Sequence, residues 1–323
     1  MILKMYAWGM LAVLAIAGCS SALGPEAETE EGFFFSGDIR LSYALDIPVA
    51  GATPYPIVVF GHDSGPNTKN EPNLKSPARR LAERGVAVFR FDKRGVGDSD
   101  GVYKRGFVDF ELLSGDLVAA VEFVAKDPRV DKTRIGLMGS SQAGWILPMV
   151  ATRSPRVAFV IIRSGPTVTV GQHNYWDETA DDESLSIDQL SRMFEDFGPL
   201  PGDFDPRPFI EQMTMPTIWL FGRQDRIIPA PRSAEIIREI IAEFGRPFSV
   251  IIYPNGGHSL RDYWDDLVPW LDKAIGLGPT QQSEIIGYFK HARRREASST
   301  TKVRSWSESG HSSEFAVTSR NGC

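Results

Sequence analysis

The chain has 323 residues, of which 42% are hydrophobic and 24% charged, the composition of an ordinary globular protein with a sizeable core. Its formal net charge of −6 argues against a nucleic-acid partner, because such partners usually require a basic stripe. The two cysteines, Cys19 and Cys323, lie near opposite ends of the chain, so a disulfide framework is excluded. The sequence has no cluster of cysteines and histidines that would suggest a metal site. We therefore expect neither a metal nor a cofactor.

The first residues have the pattern of an export signal. Lys4 precedes an apolar run over residues 5–17, which is too short to cross a membrane comfortably as a helix. The run instead matches the hydrophobic region of a signal peptide. It ends in the sequence IAGC, whose last residue is Cys19, and this ending resembles a bacterial lipobox.

The lipobox resemblance implies a signal peptide over residues 1–18, a diacylglycerol on the Cys19 thiol and a polar tether over residues 19–32. Several acyl chains anchor a protein firmly, whereas one chain is marginal. We therefore expect a membrane-anchored lipoprotein of the bacterial cell envelope that faces the periplasm. The alternative is a plain signal peptide cleaved after Ala22, which would leave a soluble periplasmic or secreted protein.

Predicted strands and helices alternate from residue 33 onward. Short β-branched and aromatic runs predict strands, and apolar residues at helical spacing predict helices. In chain order these are strands at 38–48 and 55–60, a helix at 73–85, a strand at 86–92, a helix at 107–127, a strand at 134–139, a helix from residue 141 and a strand at 157–165. This alternation predicts an α/β fold with a doubly wound, mostly parallel sheet.

The alternation stops between Pro166 and Met215, where no strong β-branched run appears. A structureless loop of about fifty residues is uncommon in a compact domain, so residues 167–215 are predicted to form an inserted helical cap. One helix is predicted after Ser186, which forms a capping box with Gln189. Its apolar face comprises Ile187, Leu190, Met193, Phe194 and Phe197.

The alternation of strands and helices resumes after the cap. The predicted α/β core therefore consists of two segments, residues 33–166 and 216–277. Its last predicted elements are a strand at 217–222, a helix at 231–245, a strand at 248–254 and a helix at 263–276. Residues 278–323 are rich in Ser, Thr and charge and are predicted to be disordered.

Two adjacent serines stand in the small-residue turn IGLMGSSQAGWI, residues 135–146. A nucleophile elbow joins a strand to a helix through a sharp turn, so the positions two before and two after the nucleophile must be small. Around Ser141 those positions are Gly139 and Ala143, whereas around Ser140 they are a methionine and a glutamine. Ser141 is therefore the predicted nucleophile.

A serine needs a base, usually a histidine that a carboxylate orients. His258 follows the last predicted strand and Asp225 follows the strand before it, so both reach the sheet edge where ligands bind in α/β proteins. The other histidines fit less well, since His62 is better placed for a structural role, His173 opens the cap, and His291 and His311 lie in the tail. Asp225 has the alternative role of a turn former.

With these residues in the order Ser, Asp, His, residues 33–277 resemble an α/β-hydrolase-fold serine hydrolase. VVFGHDSGPN resembles the family's H-G-S-G-P loop, VAVFRFDKRGVGDSDG its Arg-Gly-x-Gly-x-Ser turn, and GRQDRIIP and GGHS its acid and base loops. The nearest group comprises bacterial esterases and serine aminopeptidase-like or dienelactone-hydrolase-like proteins. The resemblance implies an oxyanion hole made by the backbone amides of Gln142 and Ser64, although Asp63 replaces the family's glycine.

Asp92, Asp98 and Asp100 are spaced somewhat like a calcium loop. Lys93 and Arg94 would repel a cation there, and the bidentate glutamate of such loops is missing. Turn and ion-pair roles are therefore predicted for these carboxylates.

The expected activity is hydrolysis of carboxylic esters through an acyl-enzyme, with no cofactor. The alternatives are a serine aminopeptidase or another amide or thioester hydrolase and, in a different class, a non-catalytic envelope lipoprotein that keeps the fold. The cap carries 11 acidic and two basic side chains, a net charge of −9, which favours neutral or cationic substrates over anionic ones. The aromatic residues of the cap line an apolar site for the acyl or aryl group of a substrate, or they form the hydrophobic core of the cap itself. These residues are Tyr175, Trp176, Phe194 and Phe197.

Overall fold

The computed structural model describes residues 27–107 and 109–277. The predicted signal peptide over residues 1–18, the lipidation site Cys19 and the predicted tail over residues 278–323 lie outside the described residues. Within the described ranges, no helix has both the length and the apolar character that a membrane crossing requires.

One eight-stranded sheet organises the fold. The strands are β1 (Ala27–Ser36), β2 (Ile39–Pro48), β3 (Tyr55–Phe60), β4 (Ala87–Phe91), β5 (Val130–Ser140), β6 (Val157–Arg163), β7 (Thr217–Gly222) and β8 (Phe248–Tyr253). Their order across the sheet is β1-β2-β4-β3-β5-β6-β7-β8. β2 is antiparallel to both β1 and β4, and all the other neighbouring pairs are parallel. The predicted doubly wound, mostly parallel sheet is confirmed.

The first strand corrects the predicted tether at its C-terminal end. Residues 27–32, which the sequence analysis placed in the tether, pair in register with residues 43–48 of β2. A two-residue turn at Gly37 and Asp38 closes this hairpin, and Gly37 supplies a positive φ of 58°. Residues 28–31 are exposed, because β1 is an edge strand, and an exposed polar strand has the same composition as a polar tether.

Helices cover both faces of the sheet. α1 (Pro72–Ala82) and α8 (Trp264–Ala274) pack on one face, and α2 (Phe110–Val124), α3 (Ala143–Arg153) and α7 (Ala230–Phe244) on the other. The central strand β3 is buried along its whole length. Its alternate residues enter the two cores, as the two-residue period of a strand requires.

Three helices lie between β6 and β7 in the chain: α4 (Val170–Ala180), α5 (Ile187–Glu195) and α6 (Arg207–Gln212). The predicted capping box of Ser186 and Gln189 begins α5. Phe194 of α5 is buried beside Trp176 of α4, whereas Met193 is 43% exposed and does not share the predicted apolar face. Trp176 and Phe194 belong to the same hydrophobic core as α3 and α7, so this insertion packs as part of the main domain.

Candidate active site

Ser141 occupies a strained turn between β5 and α3. Its φ is +54°, a value uncommon for residues with a side chain and typical of a nucleophile elbow. Its amide donates hydrogen bonds to the carbonyl oxygens of Arg163 at 3.2 Å and Ser164 at 3.1 Å, which fix the turn to the end of β6. The neighbouring Ser140 is the last residue of β5 and has no positive φ.

Close approaches explain the small residues around this turn. A Cβ placed on Gly139 would lie 2.4 Å from the Cβ of Ala143, and one on Gly144 would lie 2.6 Å from the Cα of Gly165. Real Cβ atoms essentially never approach other atoms within 3.0 Å. The methyl group of Ala143 therefore fits because the facing residue, Gly139, has no side chain.

A buried carboxylate orients the predicted base. Asp225 is fully buried, and its Oδ2 lies 2.9 Å from Nδ1 of His258. Its Oδ1 accepts hydrogen bonds from the amides of Ile227 at 2.9 Å and Ile228 at 3.0 Å. With Nδ1 carrying the proton toward this carboxylate, Nε2 of His258 is left as the acceptor.

The loops that carry these two residues touch each other after β7 and β8. The amide of Gln224 donates to the carbonyl oxygen of Gly256 at 2.8 Å. A Cβ on Gly222 would come within 2.3 Å of the carbonyl oxygen of Gly257. A glycine at the end of β7 therefore lets the acid loop and the base loop approach closely.

Ser141 and His258 line one cavity of about 850 Å³ at the carboxyl edge of the parallel strands. Among the described residues, no hydrogen bond joins the Ser141 hydroxyl to the His258 ring. Such catalytic hydrogen bonds are often long without a substrate. The structure thus brings together all three residues that the sequence analysis selected for the triad.

The two predicted oxyanion residues lie on segments that a buried lysine connects. Ser64 lines the cavity, and Gln142 is the buried N-cap residue of α3. The Nζ of Lys93 donates to the carbonyl oxygen of Asp63 at 2.8 Å, to that of Gly65 at 3.3 Å and to Oε1 of Gln142 at 3.1 Å.

This role of Lys93 was not predicted from the sequence, where its charge served only as an argument against a metal site. The available signal was its place just after β4, at the same sheet edge as the elbow. Lys93 is 3% exposed, and burial lowers the pKa of its ammonium group to about 8.

The unexpected Asp63 is held within its own loop. Its Oδ1 accepts a hydrogen bond from the amide of Gly65 at 2.8 Å, and its Oδ2 accepts one from Nδ2 of Asn73 at 3.3 Å. The first bond is the Asx turn that aspartate commonly makes with an amide two residues on. The carboxylate therefore stabilises the turn that carries Ser64.

Two other histidines are buried and neutral. His62 donates from Nε2 to the carbonyl oxygen of Phe91 at 2.7 Å, and burial lowers its pKa to about 4. His173 packs edge-on against Phe107 and Trp145, and burial again lowers its pKa to about 4. The hydrogen bond of His62 to Phe91 agrees with the structural role predicted for His62.

The closely spaced aspartates after β4 form ion pairs. Asp92 and Asp98 both pair with Lys69 at 3.3 Å, and Asp100 pairs with Arg40 at 3.3 Å. Lys69 is buried, so this network fixes the loop beside the elbow and matches the predicted turn and ion-pair roles.

The lining of this cavity differs in charge from the acidic cap. Within the described part of the chain, none of its lining residues belongs to 167–215, and three of them are arginines. Trp176 and Phe194 are buried in the core, and Tyr175 stacks on Phe197 with the ring centroids 4.1 Å apart. The negative charge of the cap therefore does not line the cavity beside Ser141.

Two family models match the chain, each over less than half of its length. The model described as BAAT / Acyl-CoA thioester hydrolase C terminal matches residues 118–263. The model described as X-Pro dipeptidyl-peptidase (S15 family) matches residues 36–182. The first match contains Ser141, Asp225 and His258, and the second contains Ser64 and Ser141.

Curated relatives and solved structures agree with these matches. The chain is 25% identical to the acylamino-acid-releasing enzyme of Rattus norvegicus over 69% of this chain and 32% of that protein. It is also 25% identical to the uncharacterized peptidase YuxL of Bacillus subtilis (strain 168), over 72% and 34%. It thus spans about a third of the length of these relatives.

The fold is similar to that of acetyl xylan esterase 1 from Thermoanaerobacterium sp. JW/SL YS485, with a TM-score of 0.58, 19% identity, and coverage of 79% of this chain and 86% of that one. The chain has the α/β-hydrolase fold. Together the family models and relatives support a serine hydrolase in general.

Proposed function

We propose that this protein is a serine hydrolase that cleaves carboxylic esters through an acyl-enzyme. The Oγ of Ser141 attacks the ester carbonyl carbon while Nε2 of His258 takes its proton. The tetrahedral intermediate collapses, and His258 returns the proton to the leaving alcohol. Water, deprotonated by the same nitrogen, then attacks the acyl-enzyme and releases the carboxylic acid.

The observation that carries this proposal is the 2.9 Å contact between His258 Nδ1 and Asp225 Oδ2, with Ser141 at the strained elbow on the same cavity. In this mechanism Asp225 holds the imidazole tautomer and stabilises the imidazolium. The amides of Gln142 and Ser64 receive the oxyanion, and one such donor is typically worth about 3 kcal/mol of transition-state stabilisation.

Hydrolysis of peptide-like amides is the second candidate. It is favoured by the similarity to the rat acylamino-acid-releasing enzyme and the Bacillus subtilis peptidase. An aminopeptidase that binds a free α-amine has weaker support, because the cavity wall carries three arginines and one aspartate. The same catalytic groups serve both reactions, so leaving-group preference decides between them.

A panel of matched substrates tests the proposal. It comprises 4-nitrophenyl esters, N-acetylaminoacyl 4-nitroanilides and free aminoacyl 4-nitroanilides. The proposal predicts turnover of the esters that is lost in Ser141→Ala and in His258→Ala. A higher kcat/KM for the anilides than for the esters would favour the amide hydrolase. Absence of both turnover and fluorophosphonate labelling would favour the non-catalytic alternative.

We also propose that the mature protein is a lipoprotein of the bacterial envelope, anchored through Cys19. The proposal is supported by the apolar run and the lipobox-like sequence IAGC at residues 16–19. Cys19→Ala should abolish labelling by an alkyne fatty acid and release the protein from the membrane fraction. Unchanged labelling of Cys19→Ala would contradict it, and a labelled Ser20→Ala protein is the matched control.

A further inference from the structure

The cavity beside Ser141 carries an excess of positive charge. Its charged lining residues, apart from His258, are Arg80, Arg163, Arg261 and Asp63. The carboxylate of Asp63 already accepts hydrogen bonds from Gly65 and Asn73. Among the ion pairs of residues 27–107 and 109–277, none involves any of these three arginines. The lining of this cavity thus holds three arginines against one carboxylate, that of Asp63.

Arg163 lies on the strand next to the one that leads into the proposed nucleophile. It ends β6, it lies opposite Ser140 in the register of β5 and β6, and its carbonyl oxygen accepts the amide of Ser141. Its guanidinium donates to the hydroxyl of Tyr263 at 3.1 Å and lies 5.2 Å from that ring's centroid. The buried Tyr263 therefore holds this side chain at the cavity wall.

A second guanidinium approaches the same aromatic wall. Arg80 lies 5.2 Å from the ring centroid of Trp264, and Trp264 stacks on Tyr263 with the centroids 5.0 Å apart. Burial raises the pKa of Tyr263, and the positive charges of Arg163 and Arg80 act in the opposite direction. Two like charges thus act on one phenol group, an arrangement that a bound anion would stabilise.

We infer that the cavity selects acyl substrates that carry a carboxylate or a comparable anionic group, with Arg163 as the residue that anchors it. This inference rests on the proposed hydrolase function and names its substrate class. A planar guanidinium binds a carboxylate through two parallel N–H···O bonds, and the aromatic contacts of Arg163 reduce the ordering needed to form them. The 850 Å³ volume accommodates a substrate with a charged group remote from the ester.

Two pairs of substrates test this inference, and each pair compares a free carboxylate with its uncharged methyl ester. Mono-4-nitrophenyl adipate is compared with its methyl ester, which places the charge in the acyl group. 4-Acetoxybenzoate is compared with methyl 4-acetoxybenzoate, which places the charge in the leaving group. We expect the anionic member of at least one pair to have a kcat/KM higher by about tenfold or more.

Substitution of the anchor should remove that preference. Arg163→Gln is expected to lower kcat/KM for the preferred anionic substrate by about tenfold or more and to change the neutral member by less than about threefold. Arg163→Lys keeps the charge and should retain part of the preference. Arg156→Gln is the matched control, because Arg156 pairs with Glu122 at 2.8 Å on the surface and does not line the cavity.

The outcomes separate the inference from the function on which it rests. If the full chain hydrolyses the neutral members but prefers neither anionic member, the inference is wrong and the hydrolase proposal stands. An equal loss on anionic and neutral substrates in Arg163→Gln, with an unchanged thermal unfolding midpoint, would also overturn it. Absence of any hydrolysis and of fluorophosphonate labelling would instead count against the hydrolase proposal.

Discussion

The hydroxyl of Ser164 donates a hydrogen bond of 2.8 Å to the carbonyl oxygen of His258. The carbonyl oxygen of Ser164 in turn accepts the amide of Ser141 at 3.1 Å. Ser164 is fully buried and has a φ of +46°, so its backbone is strained like that of the elbow. This single residue, one position past the end of β6, therefore connects the loop of the proposed base to the turn of the proposed nucleophile.

Ser164→Ala should lower turnover because it removes the bond that positions the His258 loop. The loss of one hydrogen bond of about 1 kcal/mol corresponds to a decrease of roughly fivefold in kcat/KM. Ser233→Ala is the matched control, since Ser233 is equally buried and its hydroxyl bonds to Thr167. Initial rates on a 4-nitrophenyl ester check this, and equal losses in the two variants would contradict a positioning role for Ser164.

The lowered pKa of Lys93 predicts that stability and activity change in opposite directions as pH rises. Its pKa is lowered from 10.5 to about 8 by burial, so between these pH values the unfolded chain binds more protons at this site than the folded chain. The contribution of Lys93 to the free energy of unfolding therefore increases as pH rises from about 8 to 10.5. Urea unfolding of the protein and of Lys93→Met across this range measures the contribution, and a difference that falls with pH would contradict it.

Activity should fall over the same range, because deprotonation of Lys93 weakens its bonds to the carbonyl oxygens of Asp63 and Gly65. We expect kcat/KM to decrease as pH rises through about 8. In Lys93→Arg the guanidinium keeps its charge, so any activity of that variant should lack this decrease. An identical alkaline limb in both proteins would exclude Lys93 as its origin.

Asp63→Asn should leave turnover of a neutral ester nearly unchanged. The asparagine side-chain oxygen can still accept the hydrogen bond that the amide of Gly65 donates to Oδ1 of Asp63 at 2.8 Å. We expect a change in kcat of less than about threefold, or under roughly 0.7 kcal/mol. A tenfold gain in kcat would show instead that the carboxylate opposes the oxyanion.

The elbow should tolerate a methyl at position 139 only if the methyl at position 143 is removed. A Cβ on Gly139 would meet the Cβ of Ala143 at 2.4 Å, whereas its next neighbour, the carbonyl oxygen of Gly61, is 3.2 Å away. Gly139→Ala alone should destabilise the protein by about 1–3 kcal/mol and reduce turnover. The double variant Gly139→Ala/Ala143→Gly should recover most of both losses, and strictly additive effects in the double-mutant cycle would contradict this packing.

The sequence predicted those features that depend on local pattern. The alternation of strands and helices predicted the sheet, and the spacing of small residues selected Ser141 over Ser140. The capping box at Ser186 and Gln189 predicted the start of α5 for the same reason. Each of these patterns reflects contacts made within a few residues of the chain.

Features that depend on long-range contacts were missed. Residues 27–32 are polar along an edge strand, so their composition could not distinguish β1 from a tether. The cavity charge depends on Arg80, Arg163 and Arg261, which come from a helix, a strand and a loop that are far apart in the chain. The acidic residues of the cap are instead contiguous in sequence and easily counted. Lys93 contacts segments 28 to 49 residues away, and no local pattern marks those contacts.

Site mapping with a fluorophosphonate probe determines whether Ser141 is the nucleophile. The unsubstituted protein, Ser141→Ala and Ser140→Ala are labelled in parallel and analysed by intact mass and by peptide mapping. We expect one adduct on Ser141 in the unsubstituted protein, one adduct in Ser140→Ala and none in Ser141→Ala. An adduct on Ser140, or undiminished labelling of Ser141→Ala, would contradict it.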